Sequence, residues 1–293
     1  MTKTAWIFPG QGSQAVGMGA DLREHPLAAA RFDTATQVLG WSVPEICQGD
    51  EAQLGRTLYT QPCLYVVESI LAEIMRDRGH DAPNLVAGHS LGEYVALYVA
   101  GVFDFKTGLE LVKRRAELMD GAAGGQMAAL IGFDRDRLAA AIEQNPDVVL
   151  ANDNSSAQVV ISGTPDAVDA ILANVKAKRA VKLNVSGAFH SPMMAEAAAE
   201  FQQVLDGVSF RDATVPVLSN TDPTPATDAA QLKERLARQM TGSVRWREIG
   251  EQLPECGIEA AIEVGPGKVL SGLLKRSGLS LQQVGSLADL AAS

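Results

Sequence analysis

Cysteine is scarce in this chain. Cys47, Cys63 and Cys256 are the only three in 293 residues. An odd number without C-x-x-C spacing argues against a disulfide framework and against a zinc site. Long hydrophobic runs are missing as well, and the longest uncharged apolar stretch, Tyr94 to Phe103, is too short to cross a bilayer. The opening MTKTAWIFPGQG has no apolar segment of the signal-peptide kind. A cytoplasmic protein with reduced thiols and no membrane association is therefore expected. Basic residues are outnumbered, 25 Lys and Arg against 35 Asp and Glu, for a net charge of −10. That balance argues against non-specific nucleic-acid binding. An acidic partner would need a local basic patch. The candidates are KAKR at 176–179, RWR at 245–247 and LLKR at 273–276, though such a patch is more often just a solvated face. No low-complexity tract or fixed-period repeat is visible.

What is present is ordinary globular composition, 46% hydrophobic and 20% charged. The chain opens strand–turn–helix with TAWIF, PGQGSQ and LREHPLAAARFDTATQVL. A helix through LYVVESILAEIMRDRG follows, then a short apolar strand, NLVAG, a helix from LGEYVAL, and a helix over about 105–120. This alternation predicts an α/β class with a mainly parallel sheet. The middle reads QMAALIGF, DRDRLAAAIEQ, DVVLANDN, AQVVISG, PDAVDAILANVKAK and RAVKLNVS, a β-α-β-β-α-β order of ferredoxin-like type. It predicts a small subdomain at 125–186 inserted into a larger one formed by 1–124 and 187–293. Afterwards SPMMAEAAAEFQQVL reads as helix, VPVLSN as strand, AAQLKERLARQM as helix, AAIEV as strand and KVLSGLLKR as helix.

The chemistry centres on GHSLG, which puts Ser90 between Gly88 and Gly92 at a strand-to-helix turn. G-x-S-x-G in that setting is a nucleophile elbow. The plainer reading is a tight turn with a serine cap. A serine nucleophile needs a base, and histidine is the usual one near neutral pH. Only four are available. His89 adjoins Ser90, and neighbours on a sharp turn point apart. His25 and His80 lie in polar, turn-like surroundings and read as surface. His190, in VSGAFHSPMM, stands where the chain returns from the small unit to the large one, where a cleft is expected. Elimination selects it.

FPGQGSQ at 8–14 resembles a dinucleotide fingerprint through Gly10, Gly12 and Ala15, but the region holding Asp33 reads as helix where that motif needs a strand ending in an acid. Its glycines instead expose backbone N–H groups. One of these, with the N–H of Leu91 just after the nucleophile, would make an oxyanion hole. GPGKVLSG at 265–272 is not a P-loop, since Lys268 precedes valine, and reads as a structural turn. In FKTGLELVKRRAELMD, Arg115 falls on the apolar stripe with Leu111, Val112, Leu118 and Met119, while Arg114 shares the other side with Glu110 and Glu117. A guanidinium on an apolar stripe either snorkels to water or meets an anion.

The ordered set FPGQGSQ, TQPCLY, GHSLGEY, KRRAELM, GAFHSPMM and EVGPGKVLSGL resembles the malonyl-CoA:acyl carrier protein transacylases and the acyltransferase domains of fatty acid and polyketide synthases, nearly end to end. The resemblance implies an α/β-hydrolase-like large subdomain and a ferredoxin-like small one. It implies Ser90 as nucleophile, His190 as base, the Gln11 and Leu91 amides as oxyanion hole, and Arg115 as clamp for the malonyl carboxylate. The backbone carbonyl of Gln239 would orient the histidine, and Phe189 marks the malonyl-selective form of its motif. Malonyl-CoA and acyl carrier protein are the implied partners, with no metal or redox cofactor. Two rivals stay open: a serine hydrolase or thioesterase on the same core, though no histidine follows His190, and a catalytically silent docking module.

Overall fold

A computed structural model describes residues 2–292. Strand β1 (Thr4–Phe8) is followed by α1 (Pro26–Leu39), α2 (Val43–Gln48), α3 (Glu51–Leu54) and α4 (Thr57–Asp77). Then come β2 (Leu85–Gly88), α5 (Gly92–Val99) and α6 (Phe105–Gly121). The middle contributes β3 (Gln126–Phe133), α7 (Arg135–Glu143), β4 (Val148–Ser155), β5 (Gln158–Gly163), α8 (Pro165–Asn174) and β6 (Ala177–Lys182). The chain continues through α9 (Ala195–Asp206), β7 (Val217–Leu218), α10 (Ala229–Arg238) and α11 (Trp246–Glu255), and finishes with β8 (Ala260–Val264), α12 (Val269–Leu273), β9 (Ser280–Val284) and α13 (Asp289–Ala292).

Five strands form one sheet in the order β7-β2-β1-β8-β9, with every neighbouring pair parallel. A parallel sheet needs both faces covered, so its strands are continuously apolar. In β1, Ala5 to Phe8 are all fully buried. Trp6 and Phe8 point into one apolar cluster with α4, and Ala5 and Ile7 into a second with α11 and the α12 turn. Helix α4 lies so deep that all residues from Thr60 to Ala72 are buried. The other four strands make an antiparallel sheet, β4-β5-β3-β6, with its own apolar cluster under α7 and α8. Side-chain caps start several helices: Asp104 accepts from Thr107 N–H at 2.8 Å, Asp228 from Gln231 N–H at 2.7 Å and Asp134 from Arg137 N–H at 3.1 Å. Such caps each stabilise by about 0.5–2 kcal/mol.

The small sheet is fastened to the large layer through its edge strand β4. Val244 N–H donates to Ala151 O at 2.8 Å and Asp153 N–H to Val244 O at 2.9 Å. The buried Asp153 carboxylate takes Arg135 from α7 at 2.9 Å and Arg247 from α11 at 2.9 Å. This seam runs directly after Gly242, which the active site uses.

The α/β class and the two kinds of sheet agree with the sequence reading. Several elements do not. The opening helix starts only at Pro26, because Gly17 and Gly19 turn the chain in the left-handed region first. VPVLSN contributes only Val217 and Leu218 to the sheet, and KVLSGLLKR is helical only to Leu273. Strand β6 begins at Ala177 and ends at Lys182, so the following residues are free to line the cleft. Helix α11 and strand β9 were not anticipated.

Candidate active site

The elbow forms because β1, β2 and the start of α5 approach within contact distance. A Cβ built on Gly88 would lie 1.9 Å from Gly92 C, and one on Gly92 would lie 2.0 Å from Phe8 O. The two glycines therefore permit close packing. The left-handed turn itself falls on Ser90, at φ 52°. A non-glycine residue there costs about 1–3 kcal/mol and persists only when its surroundings over-determine it. His190 is the only other described non-glycine residue with positive φ, at 57°. The two strained residues face each other, with Ser90 Oγ 2.8 Å from His190 Nε2.

His190 Nδ1 lies 3.0 Å from Gln239 O and 3.2 Å from Gly242 O. Carbonyls only accept, so the proton sits on Nδ1 and Nε2 keeps its lone pair for the serine hydroxyl. Burial, reinforced by the Arg115 charge, pushes the His190 pKa down to about 3. The imidazole is thus neutral over the physiological range. The seam between β4 and Val244 holds the Gly242 carbonyl in place from behind.

Arg115 is fully buried, as its phase on α6 allows. Its Nη1 donates to Gln61 Oε1 at 2.7 Å, and its Nη2 to Ser90 Oγ at 3.0 Å and to Gln239 Oε1 at 3.1 Å. Nε has no partner, and Tyr94 lies under the guanidinium at 5.3 Å. No carboxylate forms an ion pair with it among the described residues. Desolvation accordingly disfavours its charged form. A buried guanidinium without an ion-pair partner, set beside the serine hydroxyl, has the chemistry to receive an anionic group. Arg114 differs: it is part-exposed and pairs with Glu117 at 3.2 Å and Glu200 at 2.7 Å. Glu110, expected beside Arg114, instead faces Lys106 at 3.7 Å.

A cavity of about 80 Å³ joins these groups, lined among others by Gln11, Ser90, Leu91, Arg115, Phe189 and His190. The described residues offer no acceptor for the backbone N–H of Gln11 or of Leu91. The Gln11 side chain is tied to Thr57 Oγ1 at 3.1 Å. Phe189 is buried and forms part of the wall.

The remaining histidines stand apart from the proton path. His89 Nε2 meets Asn154 Oδ1 at 2.8 Å, and its ring packs 5.7 Å from Trp246. His25 and His80 are half-buried rather than on the surface, one at the N-cap position of α1 and the other just past the end of α4. GPGK serves as a turn: Glu263 accepts from Leu270 N–H at 2.9 Å and Ser271 N–H at 2.7 Å, capping α12 from inside the sheet. No cluster of three metal-ligating side chains occurs among the described residues.

The sequence reading did not find Gln61, Gly242, Asn220 or the role of Glu93. Gln61 was visible in TQPCLY and Glu93 as the acid opening α5, but nothing in their spacing says what they touch. Gly242 contributes only a carbonyl, which leaves no mark on residue type.

Comparison with known proteins points to one family. The model of the acyl transferase domain matches residues 5–291. A malonyl CoA-acyl carrier protein transacylase of Synechocystis is 61% identical, covering 98% of this chain and 99% of its own. The crystal structure of the Synechocystis malonyl-CoA:ACP transacylase superposes with a TM-score of 0.98 at 60% identity, over 99% of this chain and 100% of that one. A malonyl-transacylase solved with a type II polyketide acyl carrier protein gives 0.94 at 39% identity, over 99% and 98%. With a family model running from β1 to the last helix, and a relative of such identity over nearly the whole length, this chain belongs to the acyl transferase family.

Proposed function

We propose that this enzyme moves the malonyl group from malonyl-CoA to the phosphopantetheine thiol of acyl carrier protein, supplying fatty acid or polyketide synthesis. The observation that carries the reading is the double contact at Ser90 Oγ: a neutral histidine at 2.8 Å on one side and an unpaired buried guanidinium at 3.0 Å on the other. The first activates a hydroxyl. The second selects an acyl group that ends in a carboxylate.

His190 Nε2 takes the Ser90 proton as Oγ attacks the thioester carbon. The resulting oxyanion rests on the Gln11 and Leu91 N–H groups, which face no other acceptor. Collapse breaks the C–S bond, and the proton passes from Nε2 to the departing CoA sulfur. The carrier thiol then gives its proton to Nε2 and attacks the malonyl-serine ester. Collapse of that second adduct returns the proton to Ser90. Every proton and electron pair is accounted for by the side chains, the amides and the two thiols, so the scheme calls for no metal or redox cofactor. Gln239 O holds the imidazole, and Phe189 closes the acyl pocket. A cytoplasmic setting suits the free thiols Cys47, Cys63 and Cys256, and no described helix is long and apolar enough to cross a membrane.

The test is mass spectrometry of the protein after brief exposure to malonyl-CoA, then to carrier protein. We expect malonyl on Ser90, none on Ser90→Ala, and discharge to the carrier thiol. A labelled Ser90→Ala protein overturns the assignment. Discharge to water as fast as to the thiol would make the enzyme a thioesterase.

A further inference from the structure

Beyond the residues that meet the substrate, we infer that Asn220 is a positioning residue that sets the attack geometry of Ser90 by carrying the sheet's hydrogen bonding one step past its backbone. The inference rests on the reading of Ser90 as the acylated serine. Strands β2 and β7 pair in parallel through Val86↔Val217 and Ala87↔Leu218. After Ala87↔Leu218, the next position at which the β7 residue would make both bonds centres on His89, opposite Asn220. In a parallel ladder the partner gives its N–H to the carbonyl before the central residue and accepts the N–H of the residue after it. The β7 backbone has left the sheet by then. The Asn220 side-chain amide makes both bonds instead: Nδ2 donates to Gly88 O at 2.6 Å, and Oδ1 accepts from Ser90 N–H at 2.6 Å.

The rest of Asn220 is locked. The residue is fully buried, and its own N–H donates to Glu93 Oε2 at 3.1 Å. Its carbonyl accepts from Arg245 N–H at 3.0 Å. The same Glu93 oxygen takes Gln239 Nε2 at 2.7 Å, and Gln239 Nε2 also reaches Ser90 O at 2.9 Å. Ser90 is thus gripped at its N–H by Asn220 and at its carbonyl by Gln239, with Glu93 joining the two grips. This ring over-determines the left-handed Ser90. It also occupies the Ser90 N–H, which leaves the Leu91 N–H as the elbow's free donor. Asn220 touches neither acyl group nor thiol, so its effect falls on the rate of attack and not on substrate affinity.

The experiment compares Asn220→Ala with wild type in single-turnover acylation by malonyl-CoA and by acetyl-CoA. Malonyl-CoA affinity is measured in parallel in the Ser90→Ala background. A misplacement of about 1 Å costs on the order of 10²-fold. We expect acylation slowed by about that factor for both donors alike, with unchanged affinity and a folded protein by circular dichroism. A rate within about threefold of wild type overturns the inference, as does a loss shared equally between rate and affinity. Should Asn220→Ala fail to fold, the near-isosteric Asn220→Asp decides. It keeps the acceptor for Ser90 N–H but sets an oxygen against Gly88 O. It should slow acylation of both donors with affinity retained, and wild-type rates in the folded variant would refute the positioning role. If Ser90 itself takes no label in wild type, the functional reading fails; if it does while Asn220 variants acylate normally, only this inference fails.

Discussion

At Arg115, the single most informative side chain, burial turns a sequence ambiguity into a prediction. A guanidinium that could have snorkelled is wholly enclosed, with Gln61 and Gln239 as neutral companions. Arg115→Ala would leave a bound carboxylate desolvated and unpaired, a loss of about 2–5 kcal/mol. That amounts to about 30-fold or more in kcat/KM for malonyl-CoA. Acetyl-CoA, having no carboxylate, should fall far less, and Arg114→Ala should alter neither. Kinetics with both thioesters on both variants checks this; equal losses for the two donors from Arg115→Ala would make the residue structural.

His190 gives a second residue-scale expectation, from its pKa of about 3. The free enzyme should keep a competent base well below the ordinary histidine range, so the acid limb of kcat/KM lies far under pH 6.5. A malonyl carboxylate bound at Arg115 would offset the charge that helps depress the imidazole. The acid limb of kcat should therefore lie at higher pH than that of kcat/KM, and should do so for malonyl-CoA and not for acetyl-CoA. The same shift bears on stability. The folded state refuses a proton that the unfolded histidine accepts, so His190 costs stability progressively as pH falls from about 6.5 towards 3. Urea titrations across that range in wild type and His190→Ala measure the difference.

At the scale of the element, the β8–α12 turn carries structure and the β2–α5 turn carries chemistry, although both are glycine-rich. Glu263 is fully buried and caps α12 with both carboxylate oxygens. Glu263→Ala would strand the two amides and should destabilise by about 1–3 kcal/mol. Malonyl labelling per folded molecule should be unchanged, as denaturation midpoints and label stoichiometry would show. Helix α11 illustrates how an element escapes a sequence reading. Trp246, Ile249, Gly250 and Leu253 form a helical stripe, yet RWR at its head reads in the sequence as a basic patch. Strand β9, SLQQV, is too polar to announce itself and exists because β8 offers it a parallel edge.

For the whole molecule, the question the sequence left open was which of its basic patches an acidic partner would meet on an enzyme of net charge −10. The fold already engages RWR with acids of its own. Trp246 is buried, Arg245 pairs with Glu248, and Arg247 is held by Asp153 and Glu251. Lys275 and Arg276 are exposed and border a cleft of about 650 Å³ whose lining also includes Asn154, the partner of His89. Reversing both charges should lower kcat/KM for carrier protein about tenfold at low salt and flatten its salt dependence, with CoA kinetics unchanged. The same reversal in KAKR, at Lys178 and Arg179, is the control. If neither reversal alters carrier kinetics, docking lies elsewhere.

The sequence by itself determined the α/β class, the serine on its elbow, the histidine by elimination and the helical phase of Arg115. Each of these rests on local information: periodicity, glycine spacing and residue type within a few positions. Tertiary structure decided the rest. Ser90 is 100 positions from His190 and 130 from Asn220; the β7-β2 pairing sets Asn220 beside the elbow, and His190 reaches it from the loop before α9, held by the carbonyls of Gln239 and Gly242. The groups that hold the His190 imidazole are carbonyls of Gln239 and Gly242; the first was expected only from the family resemblance, because a carbonyl, which every residue possesses, leaves no mark of its own on residue type. Whether a basic cluster is free or already paired depends likewise on which acids the fold sets beside it, and that is a property of packing alone.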